Sequence, residues 1–205
     1  MANIASVDYE SIPGKTRRMK DLGGEIGTTL SSAYSSIEHM HSVWYGKRYS
    51  ELVKQFNGLK PKLDELLNLI LKELPVTLET IANNYSNADK GMNVCTPTEG
   101  EKKVIQVLDE HTGDVGLKFI TEEVEEVRQT VIDKISKAKD KINSYENEFN
   151  SIEWRSGAAD TFRNKFKTLK NEIYNSFENL STSFSELMNK TLEDVQTAET
   201  NNTVS

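Results

Sequence analysis

Two short tryptophan segments, Trp44-Tyr45-Gly46 and Trp154-Arg155-Ser156-Gly157, lie 110 residues apart, and the same ladder of apolar positions follows each of them. Counting from either Trp, large apolar side chains fall at +8, +12, +15, +19, +23 and +26. In the first half these are Leu52, Phe56, Leu59, Leu63, Leu67 and Ile70, and in the second Phe162, Phe166, Leu169, Ile173, Phe177 and Leu180. Steps of three and four residues match the helical period, so each ladder marks one face of a helix. A similar stripe precedes each Trp, which makes the repeating unit a helix, a turn and a second helix. One hairpin exposes an apolar face that a second must cover. The repeat therefore predicts an all-α fold of two antiparallel helical hairpins packed as a four-helix bundle.

Along the chain, the first helix is expected from about Pro13 or Lys15 to His41, carrying the stripe Leu22, Ile26, Leu30, Ala33, Ile37 and Met40. Gly46 then permits a tight reversal, and Trp44 folds across the open end of the hairpin. The second helix follows from Lys47 to Ala88, with kinks or local opening expected at Pro61 and Pro75. From Lys90 to Gly116 the periodicity fades and glycine and proline collect, a connector with at most a short helical turn at Val104 to Leu108. The third helix starts near Thr121 in an acidic first turn that suits the helix dipole. Its stripe runs through Val124, Val127, Val131, Ile135, Ala138, Ile142, Tyr145, Phe149 and Ile152 with near-heptad spacing. The fourth runs from about Ala158 to Val195, and a frayed polar tail is expected after it. These boundaries divide the chain into a first hairpin over 1–90, a connector over 91–116 and a second hairpin with a flexible tail over 117–205.

The net charge of −7 disfavours nucleic acid and anionic lipid, both of which reward clustered Lys and Arg. Residues 1–90 are balanced, with 11 basic and 11 acidic side chains, so the whole excess lies in the second half. No apolar run approaches the roughly 18–20 residues of a bilayer span, so stable membrane insertion is not expected. Met1 to Lys20 lacks the apolar core of a cleaved signal peptide, so any export is expected to use another route. The single cysteine, Cys95, excludes an intramolecular disulfide and a cysteine-cluster metal site, and reads as an incidental connector residue. His39 and His41 are two apart on a helix and His111 stands in the connector, so no i, i+4 zinc pair is present and no metal or cofactor is expected. No phosphate-binding glycine loop, nucleophile elbow or dinucleotide fingerprint appears, and the glutamates at 122, 123, 125 and 126 read as a helix start. The chain does not read as an enzyme.

The residues around the first Trp carry a more specific signal. Trp44-x-Gly46 is the naming motif of the WXG family, Phe56-Asn-Gly-Leu59-Lys-Pro61-Lys-Leu63 resembles the segment that follows it in Gram-positive members, and Tyr85-Ser-Asn-Ala-Asp89 matches Tyr-x-x-x-Asp/Glu. Over about 180 of its 205 residues the chain resembles two fused members of that family, the ESAT-like helical hairpins associated with type VII secretion. In the second half Ser156 stands at the glycine position, one residue before Gly157, and Val195-Gln-Thr-Ala-Glu199 replaces the tyrosine motif. Only the first half carries a full signal, as in family heterodimers where one partner commonly carries it for both.

The resemblance implies a secreted substrate or co-secreted partner of a type VII system in a Gram-positive bacterium, with Tyr85 and Asp89 as export signal and no cleaved signal peptide. It implies the secretion membrane ATPase as a partner, with another WXG-type protein or a secreted toxin as further candidates. Some members present the Trp turn to that ATPase, whereas the plainer reading of Trp44 and Trp154 is packing that closes each hairpin. Tyr174-x-x-x-Glu178 fits the same letters in mid-helix, beside Phe177, and reads as coincidence. The competing function is a cytosolic adaptor that chaperones a larger secreted toxin, which an unfilled apolar groove would favour.

Overall fold

A computed structural model describes residues 6–202 of the chain. The fold is all-α apart from four two-residue strand segments, β1 (Ser6–Val7), β2 (Trp44–Tyr45), β3 (Lys118–Phe119) and β4 (Trp154–Arg155). Five helices carry it: α1 (Ile12–Met40), α2 (Lys47–Asn68), α3 (Leu74–Lys90), α4 (Thr121–Asn150) and α5 (Gly157–Asn202). A π-helical turn over Leu69–Glu73 joins α2 to α3, so the two make one continuous rod.

The partners of the side chains give the helix directions. Tyr49 donates to the Ile37 carbonyl at 2.9 Å and Thr16 to Glu79 at 2.7 Å, so the α2–α3 rod runs antiparallel to α1. In the second half, Arg163 reaches the Trp154 and Ile152 carbonyls and Tyr174 the Lys139 carbonyl, which sets α5 antiparallel to α4. Across the halves, Arg18 meets Glu148 at 2.7 Å and Lys134 meets Ser36 at 2.7 Å, so α1 and α4 are antiparallel too. Arg48 with Asp194 at 2.7 Å and Lys165 with Glu73 at 2.8 Å do the same for α2 and α5. The arrangement is bundle-like. Eleven of the twelve ladder residues are buried in it and Phe162 is half-buried.

Proline acts differently at its two helical positions. Pro61 lies inside α2, which stays helical through it, with the buried ladder residues Leu59 and Leu63 on either side. Pro75 follows the π turn, a rare element that redirects carbonyls out of the helical ladder. Pro75 has no N–H for the Leu71 carbonyl four residues earlier, and that carbonyl instead accepts the Gly100 N–H at 2.6 Å. The neighbouring Ile70 carbonyl accepts the Tyr145 hydroxyl at 2.8 Å. Both connector and second hairpin are thus bonded to the break in the rod.

The connector is ordered against the first hairpin rather than looping free, because side chains of the hairpin supply its backbone with partners. Asn83 bonds the N–H groups of Val94 and Cys95 and the Cys95 carbonyl. Asn57 bonds both N–H and carbonyl of Leu108 at 2.9 Å. Buried Glu79 accepts from Thr16, Lys20 and the Thr98 N–H, so its charge is fully bonded. Residues 104–108 form no regular secondary structure, so the expected helical turn is absent. Ile105 and Leu108 are buried in the core from this irregular strap. Gly27 lets the strap approach α1: a Cβ there would lie 2.5 Å from Lys103 Cβ. α5 continues to Asn202, seven residues beyond the expected end at Val195, and the last part of the expected tail, 203–205, lies outside the described residues.

Candidate recognition site

The two Trp turns sit at opposite ends of the molecule, and each is closed by a segment from the other half. β3, which leads into α4, pairs antiparallel with β2, placing Phe119 opposite Trp44 and Lys118 opposite Tyr45. β1, which leads into α1, pairs with β4, placing Val7 opposite Trp154 and Ser6 opposite Arg155. The flanking bonds repeat as well: Ile120 N–H to the Val43 carbonyl at 3.0 Å, and Asp8 N–H to the Glu153 carbonyl at 3.2 Å. The exchange has the form of a two-fold relation between repeats.

Trp44 is fully buried, with Phe119 edge-on at 5.5 Å, Tyr49 at 6.0 Å and Phe184 stacked at 6.1 Å. Its indole N–H has no partner among the described residues. Gly46 caps α2 with φ 118° and ψ −176°, a region that only glycine enters without strain. Trp154 is also buried and touches Phe162 at 6.1 Å. Here Ser156 takes the place of Gly46, and its hydroxyl accepts the Ala159 N–H at 3.1 Å as a helix N-cap. Gly157 lies within the first turn of α5, at negative φ and in open space.

Tyr85 and Asp89 occupy the last turns of α3, four residues apart on one helical face. Tyr85 is 36% exposed, the largest aromatic side chain that the described residues present to solvent. Asp89 is exposed but engaged: it accepts the Tyr9 hydroxyl, while adjacent Lys90 pairs with Glu10 and lies 5.6 Å from the Tyr9 ring. That carboxylate beside Tyr9 holds its phenol above the ordinary tyrosine range. Segment 6–10 therefore touches both the second Trp turn, through Val7, and the Tyr-x-x-x-Asp motif of the first half, through Tyr9. Both features gather at one end of the molecule. At the register of Tyr174, by contrast, the hydroxyl is spent on the Lys139 carbonyl at 2.7 Å.

Cys95 is half-buried on the connector, where burial and then the charge of Glu79 push its thiol up, away from nucleophilic character. Sequence spacing missed one constellation outright. His41, at the C-cap of α1, and His111, in the connector, stack with ring centroids 3.6 Å apart, and Asp114 Oδ2 lies 2.5 Å from His41 Nε2. The i, i+4 criterion could not find side chains brought together from positions 70 residues apart; the only signal in the sequence is the clustering of Asp109, His111 and Asp114 within six residues of the connector.

No family model, no curated protein and no solved structure matches this chain.

Proposed function

We propose that the chain is a tandem WXG-type protein, a pseudo-dimer of two hairpins in one four-helix bundle, and that it is exported folded as a substrate or co-secreted partner of a type VII secretion system. The reading rests on the motif residues of the first half. The observation that carries it is the exposure of Tyr85 with Asp89 one helical turn away, at a helix end where a groove on a partner such as the secretion ATPase can take both. A receptor that binds Asp89 displaces the Tyr9 hydroxyl, an exposed contact of small net worth. The buried Trp side chains act in this scheme as packing that holds the turns, not as contact surface. The adaptor reading asks for an unfilled apolar groove, and on the first hairpin the connector covers apolar surface with Ile105 and Leu108 buried.

The test compares culture supernatant with cell lysate in the native host, for wild type, Tyr85→Ala and Tyr9→Phe, with a cytosolic marker against lysis. Export of wild type and Tyr9→Phe with retention of a folded Tyr85→Ala supports the assignment. Retention of all three overturns it and moves the search to a bound cytosolic partner.

A further inference from the structure

At the turn of the first hairpin, three elements converge. His41 is the residue at which α1 ends, the connector folds over it with His111, and a turn closed by the Asp114 N–H to the His111 carbonyl, 3.2 Å, returns Asp114 to the same side. His111 holds φ 48°, in the left-handed region that a non-glycine residue enters at a cost. That backbone conformation is what lays its ring on His41, with planes 9° apart. Glu38, one turn back on α1, anchors the arrangement through the Asp109 N–H at 3.3 Å, and its Oε1 stands 3.4 Å from His111 Nε2. Tyr49, itself fully buried, lies 5.4 Å from the His41 ring and 6.0 Å from His111, so one side of the cluster is walled from water.

We propose that His41, His111 and Asp114 bind one divalent transition-metal ion, zinc by ligand type, which fastens the connector to the first hairpin's turn. One ligand atom from each residue already lies within 4.8 Å of the other two. A tetrahedral zinc site with bonds of about 2.0–2.2 Å has ligand-to-ligand edges of about 3.3–3.5 Å. The His41 Nε2 to Asp114 Oδ2 separation of 2.5 Å needs to open, and the two stacked imidazoles need to rotate out of their parallel arrangement so that their lone pairs converge on the ion. Two imidazoles with a carboxylate select a borderline ion over calcium or magnesium, which prefer all-oxygen sites. Glu38 Oε1, 3.4 Å from His111 Nε2, is a carboxylate within reach as a fourth ligand. Glu38, Asp109 and Asp114 all face the cluster, and a dication offsets the negative charge that they concentrate there.

The decisive measurement is a calorimetric titration of the chelator-treated full-length chain with zinc chloride, repeated with cobalt(II) to read coordination geometry from its absorption. A single site per chain with tetrahedral cobalt bands is expected. His111→Gln and Asp114→Asn, each folded by circular dichroism, are expected to weaken zinc by about tenfold or more. His39→Gln, two residues from His41 on α1 and with its ring on the Ser35 carbonyl, leaves the affinity unchanged. Absence of saturable binding overturns the proposal. So does binding that survives both His111→Gln and Asp114→Asn, or binding that is lost in His39→Gln. Asp114 is on the connector surface, so its variant tests the site even if the His111 change disturbs the turn.

Discussion

At the first turn, three rings enclose Trp44 and a glycine in a strained-for-others conformation starts the next helix. At the second, one ring meets Trp154, and the helix starts from a serine cap with Arg163 bonded to the Trp154 carbonyl at 3.1 Å. The first end is closed by shape and backbone geometry, the second by hydrogen bonds to side chains. The same division runs through the halves as a whole. The first hairpin is covered on one side by the second hairpin and on another by the connector, whereas the described contacts of the second hairpin are with the first alone. The repeat in sequence therefore encodes two units with the same outline and different depth of burial.

The largest expected effect is the response to alkali. Tyr34, Tyr49 and Tyr145 donate to the carbonyls of Phe56, Ile37 and Ile70, all in the first hairpin, and Tyr174 to Lys139 in the second. Burial raises each phenol above its ordinary value of 10.0. Below pH 10 both folded and unfolded chains keep these protons and stability is complete. Above it the unfolded chain ionises first, so buried Tyr34, Tyr49 and Tyr145 each withdraw up to about 1.4 kcal/mol per pH unit, and half-buried Tyr174, screened by solvent, withdraws less. Urea unfolding at pH 9 and pH 11 checks this, and an unchanged midpoint would contradict the burial of these hydroxyls.

Next in size is the pair of Trp truncations. Trp44→Ala is expected to cost about 5 kcal/mol and Trp154→Ala about 3 kcal/mol, the upper and lower parts of the range for large buried aromatics. Equal losses in equilibrium unfolding would erase the contrast between the ends. Smaller again is Gly46→Ala, about 1–3 kcal/mol, because the backbone there excludes a Cβ and Leu117 Cδ1 would stand 3.3 Å from it. Ser156→Ala at the equivalent position is expected to cost about 1 kcal/mol, the worth of a helix cap. Gly157→Ala is expected to stabilise by about 0.4–1 kcal/mol, since it meets open space at a helical φ. A destabilising Gly157→Ala would mean that the second turn depends on glycine after all.

Much of the helical architecture was legible because it rests on periodicity. The ladders, the four rods and the Thr121 start are properties of local sequence, and the burial of Leu52 through Ile70 follows from them directly. What the sequence concealed depends on partners far away. Asn57, Glu79 and Asn83 look like ordinary polar positions on a helix, yet they hold the connector in place. The strand segments escape notice because two residues make no period. Pro61 and Pro75 carry the same local penalty, and only the Gly100 N–H and the Tyr145 hydroxyl, remote in sequence and donating to the Leu71 and Ile70 carbonyls, explain why the rod widens at one and not the other. In the candidate recognition site, Tyr85 and Asp89 were readable as a motif, but the Tyr9 contact was not. The His41 and His111 stack was missed because it joins a helix end to an irregular segment.

The exchange of leading segments between the halves has a consequence in time. Trp154 is made 147 positions after its partner Val7, while the α1 face that meets α4 waits for residues beyond Thr121. At about 5–20 residues per second, a ribosome takes roughly 5–20 s to supply the α4 that covers a finished α1. Over that interval the newborn first hairpin stands with one side open, and the connector, synthesised next, is the earliest piece of chain able to shield any part of it.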